Sequence, residues 1–179
     1  MCTICALTIE FAVEHPQSLA VAVATREAID SGLLPERPAT DDMTQSRHQA
    51  VVLLTTLQQR LEQVLPPSRL LAISDFYVLM IESRTWGYFH PTLGGFDTRA
   101  NPSPPRVDAD ENGERDRMLV ISQAAAQAIA TGDLPFRQAV DAGMAFVDAP
   151  DHLGNGISEA LATAYPAGRF SEYFCTEVA

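Results

Sequence analysis

Between Met118 and Val147 the chain reads as two helices back to back, and this stretch limits the fold more than any other. Met118, Ile121, Ser122, Ala125, Ala128 and Ile129 recur at helical spacing and share one face. Gly132 stops the first helix, because glycine takes the left-handed conformation past a helix end without a Cβ penalty. Pro135 opens the second helix, where its missing N–H costs nothing. Phe136, Val140, Met144 and Val147 continue as a second apolar stripe. The same punctuation stands earlier, in Ala28-Ile29-Asp30-Ser31-Gly32-Leu33-Leu34-Pro35 against Ala128-Ile129-Ala130-Thr131-Gly132-Asp133-Leu134-Pro135. The flanking sequences diverge, so the match reads as shared helix punctuation rather than a duplication.

The rest of the chain is read around that scaffold. Cys5, Leu7, Ile9, Phe11 and Val13 alternate with polar Thr8 and Glu10, which predicts a strand over residues 3–13, ended by His15-Pro16. A helix follows over 17–31 with Leu19, Val23 and Ile29 inward. Thr40, Asp41 and Asp42 offer an N-cap for a helix over about 43–65, whose stripe is Ala50, Leu53, Leu54, Leu57, Leu61, Val64 and Leu65. Pro66-Pro67 terminates it. Residues 70–82 are nearly continuous apolar residues; a buried strand pairing with 85–90 across Ser83-Arg84 fits, with a buried helix as the competitor. Proline, glycine and aspartate make 91–113 a long loop. A last helix is expected around Ile157, Leu161 and Tyr165. Together these predict one helix-rich α+β domain over 1–179, its small sheet drawn from about 3–13 and 70–90 and covered by helical hairpins.

Charge excludes some functions. The formal net charge is −11, and all 12 basic residues are arginine. Nonspecific binding to nucleic acid or an anionic membrane needs a positive field, so neither is an expected partner. The start, Met1-Cys2-Thr3-Ile4-Cys5, has no basic residue before its apolar stretch, and Glu10 and Glu14 interrupt that stretch. It reads as neither secretory signal nor membrane span, and a cytoplasmic location is the expectation, with export lacking a cleaved signal as the alternative. The absence of lysine excludes lysine Schiff-base chemistry.

Three groups of residues carry chemistry. Cys2 and Cys5 have Cys-x-x-Cys spacing, suited to zinc or another transition metal or to a redox pair. A structural zinc site needs further ligands, and Cys175 with His15 or His90 are the candidates. If Met1 is removed, Cys2 also has the makings of an N-terminal nucleophile, its α-amine serving as base. Second, Asp108, Asp110, Asn112 and Gly113 follow the first half of an EF-hand loop, with Glu114 and Asp116 as further calcium ligands. The second half departs from it, with Leu119 at the position of the bidentate glutamate, so a solvated acidic loop is the competing reading. Third, Trp86-Gly87-Tyr88-Phe89-His90 offers an aromatic surface, and Asp148, Asp151 and His152 cluster before the last helix. No Gly-rich phosphate loop, His-Glu-x-x-His or nucleophile elbow is present.

The expected function is therefore an acidic, non-catalytic accessory or protein-interaction protein that forms homo-oligomers or binds a protein partner. A metal-binding or thiol-redox protein using Cys2, Cys5 and Cys175 is the alternative, and a hydrolase using Cys2 the third. As an interaction protein, it would associate through the surface around Trp86 and His90.

Overall fold

A computed structural model describes residues 8–9, 14–36, 42–97, 99–111, 113–149 and 154–166. Strand β1 (Thr8–Ile9) is the described part of the first predicted strand. Helix α1 (Ser18–Asp30) follows and buries Val21, Thr25 and Ala28. Of the three residues expected inward, Leu19 and Val23 point to solvent, while Ile29 packs half-buried against the core. The helix carries two apolar faces, so spacing alone leaves the choice open. The small-residue face is the one that lies against the sheet.

Asp42 opens α2 (Met43–Val64), its carboxylate accepting from Thr44 N–H, and the predicted stripe is buried except for half-buried Val64. Pro66-Pro67 both ends that helix and starts the next. Leu65 is extended, as a residue before proline prefers, and Pro67 is the first residue of α3 (Pro67–Ala72). Residues 70–72 are thus helical, and the expected strand begins later, as β2 (Phe76–Met80). It turns through Ile81–Arg84 into β3 (Thr85–Phe89), confirming the predicted hairpin.

The stretch 91–113 is not wholly loop. It begins with a small hairpin, β4 (Pro91–Thr92) and β5 (Gly95–Phe96), pinned where a carboxylate oxygen of Glu62 accepts from Phe96 N–H at 2.6 Å. The helical hairpin proves shorter than predicted. Met118–Ile121 is strand β6, and only Gln123–Ala130 (α4) and Phe136–Asp141 (α5) are helical. Met144 lies beyond α5, and Val147 belongs to strand β7 (Ala145–Asp148). Met-Leu-Val-Ile is buried on both faces, so it lacks the alternation that separates strand from helix. Ser122, placed on the helical stripe, instead caps α4 by accepting from Ala125 N–H. The Gly32 and Gly132 endings do match: Leu34 N–H donates to Ala28 O and Leu134 N–H to Ala128 O, each at 3.1 Å. The last described element is α6 (Gly154–Ala164).

Five of the described strands form one sheet in the order β1-β3-β2-β6-β7, apart from the β4–β5 hairpin, with all neighbours antiparallel except the parallel pair β2–β6. It therefore holds two strands, β6 and β7, beyond the two segments expected. Its faces are unequally covered. Phe76, Val78, Met80, Phe89, Leu119 and Ile121 join the large core under α2, α4, α5 and α6. Gly87 sits under α2, where a Cβ would come within 2.8 Å of Leu54. The opposite face is thinner: Tyr77, Leu79, Trp86, Met118 and Val120 pack with Val21 of α1 and Val107 of the long loop. No helix among the described residues is long and apolar enough to cross a membrane.

Candidate functional site

Three side chains meet at one end of the thinly covered face. Helix α3 ends in the left-handed backbone of Ser74 (φ 59°), which turns the chain into Asp75 at the mouth of β2. Hairpin register then pairs Phe76 with Phe89 and Tyr77 with Tyr88. Tyr88 and His90 lie two residues apart, on one side of the extended chain. Tyr88 Oη donates to one oxygen of Asp75 at 2.6 Å. His90 Nδ1 donates to the other at 2.8 Å, since the carboxylate supplies only acceptors. The two rings stack with centroids 6.2 Å apart.

This arrangement sets the chemistry of each group. Burial, then the hydrogen bond to Asp75, pushes the Tyr88 phenol well above its usual range, so it stays protonated and donating. Burial, reinforced by the charges of Asp116 and Asp75, pushes neighbouring Tyr77 up to about 12. Its hydroxyl donates to Ser103 O at 2.9 Å and holds the long loop against the sheet. The His90 and Asp75 side chains are 40% and 44% exposed. In the neutral tautomer with Nδ1–H committed to Asp75, the lone pair is on Nε2, for which no described residue provides a partner.

The second histidine behaves differently. His15 is buried, with only 2% of its side chain exposed. Its Nδ1 accepts from Gln17 N–H at 3.1 Å and its Nε2 donates to Asp148 at 3.0 Å, so both nitrogens are engaged. Arg115 binds the other Asp148 oxygen. The cluster ties the start of α1 to the end of edge strand β7.

The predicted site residues therefore divide. His15 and His90 have separate carboxylate partners, and no hydrogen bond joins them. Cys2, Cys5, Cys175, Asn112, Asp151 and His152 lie outside the described residues. Asp148 is held by His15 and Arg115. In the acidic loop, Asp110 accepts from Glu114 N–H, and Arg106 faces both Asp110 and Asp116. Asp108 belongs to the same loop. No group of three or more His, Cys, Asp or Glu suited to a metal converges among the described residues. Trp86 is a core residue under α1, which separates it from the surface at His90.

Tyr88 belongs to the aromatic surface expected from the sequence, whereas Asp75 carried no such expectation. Counting register from the turn at Ile81–Arg84 brings Asp75 opposite His90, whereas a turn at Ser83-Arg84 would place it opposite Thr92, so the pairing depends on where the hairpin turns. A groove of about 360 Å³ opens between α2 and the end of α4, lined by Thr56, Gln59, Arg60, Gln63, Thr131 and Tyr165. It contains neither carboxylate nor imidazole. Comparison of the chain with protein-family models, curated proteins and solved structures finds no match.

Proposed function

We propose that this chain works by binding: an acidic, cytoplasmic accessory protein that associates, with its own copies first, through the sheet end around His90. The carrying observation is an imidazole held by Asp75 through Nδ1 and 40% exposed, next to a short hairpin whose tip exposes Leu93. A pre-oriented polar group beside an exposed apolar side chain suits recognition, because little ordering remains to be done on contact. The net charge of −11 directs the reading toward protein rather than nucleic acid.

Sedimentation equilibrium tests this. The wild type is expected at a multiple of its 19.4 kDa chain mass. His90→Ala and Leu93→Ser are expected to shift it toward one chain without altering the near-ultraviolet spectrum of buried Trp86. A wild type that stays at one chain mass, or variants that associate as it does, would overturn the proposal.

Metal binding is the second reading, and the same imidazole supports it. A carboxylate holding Nδ1–H orients a histidine to offer Nε2 to a transition metal. Cys2, Cys5 and Cys175 would have to supply further ligands. Native mass of anaerobically purified protein, before and after Cys2→Ser and Cys5→Ser, decides it: a metal increment lost in the variants supports the reading, and a metal-free wild type ends it.

A further inference from the structure

We propose that His90 Nε2 is an acyl-accepting nucleophile, modified by neutral activated carbonyl compounds such as anhydrides and aryl esters. The inference does not depend on association at the same surface. Histidine forms covalent intermediates when its lone pair is available and the positive charge gained on attack is stabilised. Both conditions hold at His90. Asp75 accepts from Nδ1–H at 2.8 Å, so the neutral ring carries its lone pair on Nε2, and the side chain is 40% exposed. The same carboxylate faces the charge that develops on the ring.

The step balances without a further reactant. Nε2 forms a bond to the carbonyl carbon, and the bond from that carbon to the leaving oxygen breaks with its electron pair. The Nδ1 proton stays in place, so the adduct is an N-acylimidazolium paired with Asp75. Water then adds to the acyl carbon, the carbon–Nε2 bond breaks, and a carboxylic acid and one proton are released. A neutral donor suits a chain of net charge −11, which repels anionic ones.

The chain contains its own comparators. His48 on α2 is exposed and its side chain forms no hydrogen bond to a described residue, so no described carboxylate orients it. His15 has both nitrogens engaged and is buried. His152 lies outside the described residues and carries no expectation. Tyr88 is a positioning residue that holds Asp75, and Asp75 positions His90.

Diethyl pyrocarbonate at limiting concentration, with the modified residues quantified by peptide mass spectrometry, provides the test. His90 is expected to react about fivefold or more faster than His48, and His15 slowest of the three. Asp75→Asn is expected to bring His90 down to the rate of His48. Unfolding the wild type in urea should abolish the ranking, which separates anchoring from any effect of local sequence. Equal or slower reaction at His90 in the folded wild type would overturn the proposal. So would a ranking that persists in urea, or one unchanged in a folded Asp75→Asn variant.

Discussion

Replacing Asp148 by alanine should destabilise the protein by about 2–4 kcal/mol, and the structure shows where the loss arises. The carboxylate is 11% exposed and holds two donors, His15 Nε2 at 3.0 Å and the Arg115 guanidinium. His15, at 2% exposure, has no water to turn to, so an unsatisfied ring N–H there costs about 1–3 kcal/mol. Arg115 is 37% exposed and recovers part of its hydration, which limits its share to about 1 kcal/mol. For a chain of this size the sum lowers the midpoint of thermal unfolding by about 5–15 °C. Asp148→Asn should lose less, about 1–2 kcal/mol, because the amide oxygen still accepts from His15 while the ion pair with Arg115 disappears. Urea titration of wild type, Asp148→Ala, His15→Ala and the double variant gives the coupling directly. A coupling near zero, or an alanine variant as stable as the asparagine one, would refute the assignment of this cluster as the fastener between α1 and β7.

Other expectations follow from single backbone or side-chain features. Ser74→Gly should stabilise by about 0.5–1 kcal/mol in urea titration, because φ of 59° is strained for serine and free for glycine. Gly95→Ala should cost about 2 kcal/mol or more, since φ is +114° and the new Cβ would lie 2.6 Å from the Glu62 carboxylate that holds Phe96 N–H. Alkaline pH should weaken the fold through Tyr77. Its phenol is raised from 10.0 to about 12, so the native state retains a proton that the unfolded chain releases. That stabilisation is complete below about pH 10 and is lost as pH rises toward 12, and Tyr77→Phe should flatten this part of the pH–stability curve.

The fold class was legible because helix punctuation is local chemistry. Asp42, Pro66-Pro67, Gly32 and Gly132 each act on their own neighbours, and each marks a helix boundary in the structure. The β2–β3 hairpin was legible for the same reason. What failed to show depends on contacts distant in sequence. Met118–Ile121 is a strand because β2 and β7 flank it, and nothing within four apolar residues announces those neighbours. The inward face of α1 was likewise decided by its partner surface. Of the candidate site, His90 stood out by its aromatic company, whereas Asp75 and Tyr88 needed the hairpin register to become its partners. The His15–Asp148 contact spans 133 positions, beyond the reach of any local pattern.

The parallel pairing of β2 with β6 also defines a line along which the chain can be divided. The described elements before the acidic loop are β1 to β5 and helices α1 to α3, and those after it are β6, β7 and helices α4 to α6. A single peptide-bond cut after Asp110 would leave Arg106 on one fragment and Asp116 on the other, still facing each other across the break. The two pieces share a strand ladder and the α2–α4 and α2–α6 contacts. Separately expressed fragments are therefore expected to reassemble, and this loop is the position at which to split the protein into a complementation pair.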